Sequence, residues 1–190
     1  MERKQPSVAV YGAGGHTGQF VVAELRRRSI RVVAVGRDST RFPAGVLGRV
    51  AELNDPTALK KAFKGCAVVI NCAGPFLDSA EPVVTAALAA GCSYLDVTAE
   101  QASAKATLDM FNGAALKAGV VVIPAAGFYG GLADLLATAL VGDDKVEELT
   151  TAVALDHWWP TEGTRRGGER NNVARVVVET GELVPMPTPA

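Results

Sequence analysis

Cysteine is scarce in this chain: three in 190 residues, at positions 66, 72 and 92. No two form a C-x-x-C pair, and none clusters with histidine at zinc-ligand spacing, which excludes a zinc ribbon and a dithiol redox motif. Cys66, Cys72 and Cys92 read instead as small thiols in a reducing compartment. Histidine is scarcer still, at His16 and His157. No second ligand is spaced to help His157, so packing beside Trp158 and Trp159, or a part in substrate-side shape, is expected in place of metal binding. No apolar run approaches the roughly 20 residues of a membrane span. Residues 1–6 offer no hydrophobic signal segment. These absences predict a cytoplasmic protein with no membrane partner. Neither sign of charge dominates, the formal net charge being −1. Nothing therefore draws the chain toward nucleic acid. The one basic run, Arg26-Arg27-Arg28, falls at the end of a predicted helix, where cations are favoured. No internal repeat or low-complexity tract is present.

What is present is ample core material, 48% apolar against 21% charged, arranged in alternation. Short apolar runs at residues 7–11, 31–35, 49–53, 67–72, 94–97 and 120–123 read as strands. Between them, residues 17–28, a helix opened by Asp55-Pro56, residues 81–90 and residues 101–118 read as helices, with a last one at 132–141. Asp55 has the chemistry of an N-cap with proline at the first helical position. Gly91 and Gly119 stand where helices close. Strands that are apolar nearly throughout must be covered on both faces. Right-handed crossovers then give a doubly wound α/β fold of Rossmann type.

The pattern changes after residue 142. Leu149, Thr151, Val153 and Leu155 alternate with their neighbours like a half-exposed strand. Residues 161–172 are polar and glycine-rich. Val176-Val177-Val178 and Leu183-Val184 flank Glu179-Thr180-Gly181-Glu182, which reads as a hairpin turn. Residues 1–142 are thus expected to form a dinucleotide-binding domain, and 143–190 a partial or shortened second region of mixed or antiparallel β type. Its three expected strands need a cover: the first domain, further sequence, or a second copy in a homodimer.

The chemistry concentrates at the first β-α turn, Gly12-Ala13-Gly14-Gly15-His16-Thr17-Gly18. A strand, a glycine turn, a helix and a second strand within about 30 residues make the dinucleotide fingerprint. Gly12 permits the tight turn, Gly14 or Gly15 lets the backbone approach a pyrophosphate, and Gly18 lets the helix pack close. His16 and Thr17 then belong to the helix N-terminus that faces the anion, with His16 a loop residue near the phosphates and not a catalyst. The second strand ends Val35-Gly36-Arg37-Asp38. Arg37 can pair with a 2′-phosphate, with Ser39 and Thr40 as added donors, which favours NADP. Asp38 keeps NAD open if the strand runs one residue longer. Asn71, Ala73, Gly74, Pro75 and Phe76 follow the fourth strand, where the ligand crosses an open parallel sheet.

Together these pieces resemble the NAD(P)-binding part of the saccharopine dehydrogenase-like oxidoreductases. The resemblance runs through Gly12 to Gly18, Gly36-Arg37, Asn71 to Phe76, Glu81-Pro82-Val83-Val84, Gly91 to Glu100 and Gly127 to Leu135, in the family's order. Glu162-Gly163-Thr164 and Gly181 to Pro185 extend it faintly. Phe128-Tyr129-Gly130-Gly131 departs from it, since family members often carry Asp and Pro there. The resemblance implies hydride transfer between NADP(H) and a small organic substrate. It places Gly74, Pro75 and Phe76 beside the nicotinamide, with Tyr94-Leu95-Asp96 and Glu100 near the substrate. Asp96 and Glu100 are the acid/base candidates, following a strand's carboxyl end, although Asp96 can equally cap a helix or satisfy loop amides. Family members run on well beyond 190 residues, so a fragment or a shortened relative is expected. A short-chain-type dehydrogenase is disfavoured, because Tyr11, Tyr94 and Tyr129 lack a lysine four residues on. A cofactor-binding sensor without catalysis is the other reading.

Overall fold

The computed structural model describes residues 6–170 and 174–186. The leader reading for residues 1–5 and the end of the polar stretch at 171–172 lie outside the described residues. Six parallel strands form the main sheet: β1 (Ser7–Tyr11), β2 (Arg31–Gly36), β3 (Leu47–Val50), β4 (Cys66–Asn71), β5 (Ser93–Asp96) and β6 (Val122–Ile123). Their order is β3-β2-β1-β4-β5-β6, the doubly wound arrangement with its reversal between β1 and β4.

Helix α1 (His16–Arg27) covers one face. Its Val22 joins Val10, Ala13 and Ala34 in a small core, with Phe42 and Leu25 at its margin. On the opposite face lie α2 (Pro56–Phe63), α3 (Phe76–Ala89) and α4 (Gln101–Ala118). Their side of the sheet holds the larger core, in which Leu59, Phe63, Val69, Val83, Val84 and Tyr94 are fully buried. Tyr11 meets Phe63 edge to face at 6.4 Å. Burying each large apolar side chain stabilises by about 1.5–3 kcal/mol, which explains why the near-continuous apolar strands read so directly as a two-sided sheet.

Local chemistry fixes the helix ends as expected at several places. The Asp55 carboxylate accepts the Ala58 amide at 2.9 Å, with Pro56 first in α2. Gly119 closes α4 at φ +65. Three elements differ by more than one residue at an end. The third strand is Leu47–Val50, not 49–53, because its register against Val33 to Gly36 sets it. Only Val122–Ile123 of the run 120–123 pairs with β5. Helix α3 begins at Phe76, five residues before the expected start, and carries Pro82 in its interior. Its early start depends on an acceptor from far along the chain, described below.

After β6 a π turn (Phe128–Leu132) leads into α5 (Ala133–Val141). The expected strand at 149–155 is not formed: residues 145–160 contain no strand, and Leu149, Val153 and Leu155 are exposed. Alternation marks a face, but a strand also needs a neighbour for its backbone groups, and none among the described residues is offered. The polar, glycine-rich stretch, for which no element was expected, contains α6 (Glu162–Arg170). Thr161 caps it, accepting the Thr164 amide at 3.2 Å, and Glu162 pairs with Arg166 one turn on. The hairpin is as expected: β7 (Val176–Glu179) pairs antiparallel with β8 (Glu182–Pro185). Thr180 and Gly181 both have positive φ, which suits a two-residue hairpin turn. No helix among the described residues is long and apolar enough to cross a membrane.

Candidate functional site

The glycine turn lies at the carboxyl end of β1. Gly12 sits at φ +79, a conformation that favours glycine. Its amide and that of Ala13 donate to Val35 O at 2.9 and 3.3 Å, tying the turn to β2. A Cβ at Gly12 would lie 3.0 Å from Ala73 Cβ, and one at Gly18 only 2.1 Å from Gly12 O. Gly18 therefore has the expected role of seating α1 against the turn. Gly14 and Gly15 turn out to differ. A Cβ at Gly14 would meet Arg41 Cβ and Arg41 O at 2.7 Å. At Gly15 the one close neighbour would be Gly12 O, at 3.2 Å. Gly15 is the N-cap of α1, in extended conformation, and lends no side-chain cap. The first turn has no acidic residue, and the amides of His16, Thr17 and Gly18 have no acceptor among the described residues. His16 and Thr17 are exposed. The His16 ring meets Phe20 edge-on at 5.2 Å.

Beside this turn, β2 ends at Gly36, followed by exposed Arg37 and Asp38. Asp38 caps a 3-10 turn (Ser39–Arg41). Its Oδ1 accepts from the Thr40 amide at 2.9 Å and from Thr40 Oγ1 at 2.6 Å. These bonds, with lesser attraction from Arg41 and Arg37, hold its carboxyl below the usual range. The Arg37 guanidinium makes no hydrogen bond or ion pair among the described residues.

Beyond β4 the sequence expectation divides. Ala73, Gly74, Pro75 and Phe76 are at least partly exposed, with a cis peptide between Gly74 and Pro75. Asn71 is fully buried and its amide is fully engaged. Its Nδ2 donates to Ser79 Oγ at 3.1 Å and Tyr94 Oη at 3.2 Å, while its Oδ1 accepts the Ala73 amide at 3.0 Å. Ser79 donates onward to Ala73 O at 2.5 Å. The Tyr94 hydroxyl donates to Asp96 Oδ2 at 2.8 Å. Burial, and secondarily the Asp96 charge, drives the Tyr94 pKa far upward. Asp96, fully buried, takes the Thr98 and Ala125 amides on Oδ1 at 3.0 and 2.8 Å. Burial, and secondarily the Asp96 charge, pushes the Cys72 thiol up to about 12.

Glu100 completes the arrangement. Its two carboxylate oxygens accept the Phe76 and Leu77 amides at 3.0 and 2.8 Å. An anion placed against two open amides favours a helix N-terminus, and this is why α3 starts at Phe76. Gly167 of α6 is buried against the same carboxylate, where a Cβ would lie 3.1 Å from Oε1. Next along, the Gln101 side chain donates to Val176 O at 3.2 Å and accepts the Val176 amide at 3.0 Å. Residues 100 and 101 thus anchor both α6 and the hairpin.

The fold therefore brings Gly12 to Gly18, Arg37 and Ala73 to Phe76 together along one sheet edge, where β1 lies between β2 and β4. It withdraws Asn71, Asp96 and Glu100 into backbone-supporting contacts. Tyr94, Ser79 and Thr98 went unremarked as partners, although each is a polar residue within or next to an apolar run, which a buried network requires. Helix α1 thus presents open amides where α3 has its own carboxylate. Such an arrangement fits the diphosphate of a dinucleotide.

A family model described as the saccharopine dehydrogenase NADP binding domain matches residues 8–123. The chain belongs to this family. The mouse saccharopine dehydrogenase-like oxidoreductase is 28% identical over 162 residues, covering 70% of this chain and 37% of that protein. The chain spans about a third of the length of the curated relatives it matches. Among solved structures, yeast saccharopine dehydrogenase (L-Glu forming), in its apo form, aligns with a TM-score of 0.62 at 22% identity, over 72% of this chain and 30% of that one. UDP-glucose 4-epimerase from Thermotoga maritima aligns with a TM-score of 0.53 at 11% identity, over 62% of this chain and 54% of that one. At these identities both structures establish the fold alone. The family carries the NAD(P)-binding oxidoreductase assignment.

Proposed function

We propose that this chain binds NADP(H) along the carboxyl edge of β2, β1 and β4 and serves a hydride-transferring oxidoreductase acting on a small organic substrate. The observation that carries this reading is the uncapped α1 N-terminus directly after the glycine turn, with open amides and no acid in its first turn. The open amides of His16, Thr17 and Gly18 would receive the diphosphate, Gly15 would let it approach the backbone, and Gly12 and Gly14 shape the turn around it. Arg37 would pair with the 2′-phosphate, since Asp38 is spent on its own turn. Ala73, Gly74, Pro75 and Phe76 would flank the nicotinamide half, with Asn71 setting their backbone from below. When bound, the nicotinamide gives or accepts the hydride. The contribution of the chain itself is to bind, orient and exclude water.

In this reading Asp96 and Glu100 are positioning residues, because backbone amides and a tyrosine hydroxyl occupy their oxygens. The same observation favours a second reading, a cofactor-binding sensor without catalysis, in which no acid/base group is required. Residues 1–142 act as the dinucleotide domain and 143–190 as a second region, which a further copy can cover in a homodimer. Dissociation constants for NADPH and NADH, with wild type and Arg37→Ala, test the cofactor assignment. Arg37→Ala should weaken NADPH by about tenfold or more, or 1.4 kcal/mol, and leave NADH nearly unchanged. Equal losses would rule out a 2′-phosphate role. NADPH oxidation against imines, ketones and enoyl compounds then separates enzyme from sensor.

A further inference from the structure

Arg41 was given no role by its place in the sequence, yet the fold brings it against the glycine turn. The 3-10 turn that ends at Arg41 lies directly against the glycine turn. Any side chain at Gly14 would strike Arg41 Cβ and Arg41 O at 2.7 Å. Gly14 is therefore required for the approach of this cation-bearing turn, while Gly15 keeps open space beyond its own turn. The guanidinium of Arg41, like that of Arg37, makes no hydrogen bond or ion pair among the described residues. Arg26 nearby is committed to Ala44 O at 3.1 Å. Arg41 also borders an open cavity of about 380 Å³ between α1 and the turn, so its side chain has room to swing.

Two further facts narrow its role. Thr40 Oγ1 donates to Asp38 at 2.6 Å, which removes the hydroxyl that would otherwise help Arg37 hold a phosphate. Asp38, turned into that contact, lies within electrostatic reach of both Arg41 and Arg37. A 2′-phosphate has three terminal oxygens and up to two negative charges. One planar guanidinium satisfies two oxygens at most in a paired geometry. The remaining oxygen and charge are open to a second donor.

We propose that Arg41 is a second specificity-determining residue, closing with Arg37 on the 2′-phosphate of the adenosine ribose. This inference rests on the dinucleotide reading above. The turn is held in place by Gly14 and by the Asp38 cap, so only the Arg41 side chain needs to order when the ligand binds. That lowers the entropic cost of selecting NADP(H) over NAD(H).

Calorimetric titration with 2′,5′-ADP and 5′-AMP isolates this end of the cofactor. Wild type, Arg37→Ala, Arg41→Ala and Arg41→Lys are compared in the full chain, with circular dichroism to verify folding. Ala retains the Cβ that touches Gly14. The expected result is that Arg41→Ala weakens 2′,5′-ADP by about tenfold and leaves 5′-AMP unchanged, with Arg41→Lys intermediate. If Arg41→Ala leaves 2′,5′-ADP affinity within about twofold of wild type, or weakens both probes equally, the assignment of Arg41 is overturned. Loss with Arg37→Ala alone would leave the cofactor reading standing and remove only Arg41. A wild type that does not distinguish the two probes would overturn the 2′-phosphate reading and Arg41 with it.

Discussion

Replacing Glu100 by glutamine separates a positioning role from a catalytic one. Glu100 is 8% exposed, and its carboxylate accepts two backbone amides at the start of α3. Glu100→Gln keeps the shape but removes the charge, and one of its two terminal groups becomes a donor facing a donor. One charge-assisted hydrogen bond, worth about 1.5–3 kcal/mol, is lost. The favourable placement of negative charge at the helix N-terminus, about 0.3–1 kcal/mol, goes with it. The expected destabilisation is about 2–4 kcal/mol, which for a chain of this size lowers Tm by roughly 4–16 °C. Urea unfolding followed by circular dichroism reads this directly. Amide exchange should rise at Phe76 and Leu77, and α6 should loosen because Gly167 rests on the same carboxylate. A catalytic carboxylate held only for chemistry predicts the reverse, with turnover lost and stability kept. An unchanged unfolding midpoint for Glu100→Gln would therefore refute the capping argument.

Other expectations follow from the same geometry. Gly15→Val should block dinucleotide binding with the fold retained, read by calorimetry and circular dichroism, because the backbone there is one that any residue adopts. Gly18→Ala should destabilise by about 1–3 kcal/mol or more in chemical denaturation, since its Cβ would fall 2.1 Å from Gly12 O. Stability should decline in alkali. Burial raises Cys92 from 9.0 to about 11, Cys72 from 9.0 to about 12 and Tyr11 from 10.0 to about 12. The unfolded chain therefore loses these protons first, and stability is full below about pH 9 and erodes progressively toward pH 12. Urea midpoints that stay flat from pH 8 to pH 11 would contradict this.

How the sequence relates to the structure is clearest at particular residues. The glycine turn, the Asp55-Pro56 helix start, the Gly119 stop and the Thr180-Gly181 hairpin were legible because each is a local conformational demand. A residue's own φ, or a cap three residues away, settles it. The six apolar runs were legible because burial on two faces leaves a continuous signature, and right-handed crossovers between them give a doubly wound fold. The tail misled because alternation at 149–155 marks an amphipathic face but supplies no pairing partner. The Thr161 cap that starts α6 was obscured by the glycines that follow it.

What only tertiary structure decided is which polar groups remain free. Asn71, Asp96 and Glu100 stand at strand ends or just beyond, where sequence alone suggests ligand contact. The fold brings Ser79, Tyr94, Thr98, Ala125, Phe76 and Leu77 to them from distances of up to 29 residues. Hydrogen-bonding capacity is finite, so a carboxylate already accepting two amides has little left to offer a substrate. Conversely, Arg37 and Arg41 make no ion pair among the described residues, because Asp38, the carboxylate that feels both, spends its Oδ1 on Thr40. Sequence fixes the donors and acceptors a chain carries and the local turns it makes. Which of them pair with each other, and which are left for a ligand, depends on contacts that form only when distant segments meet.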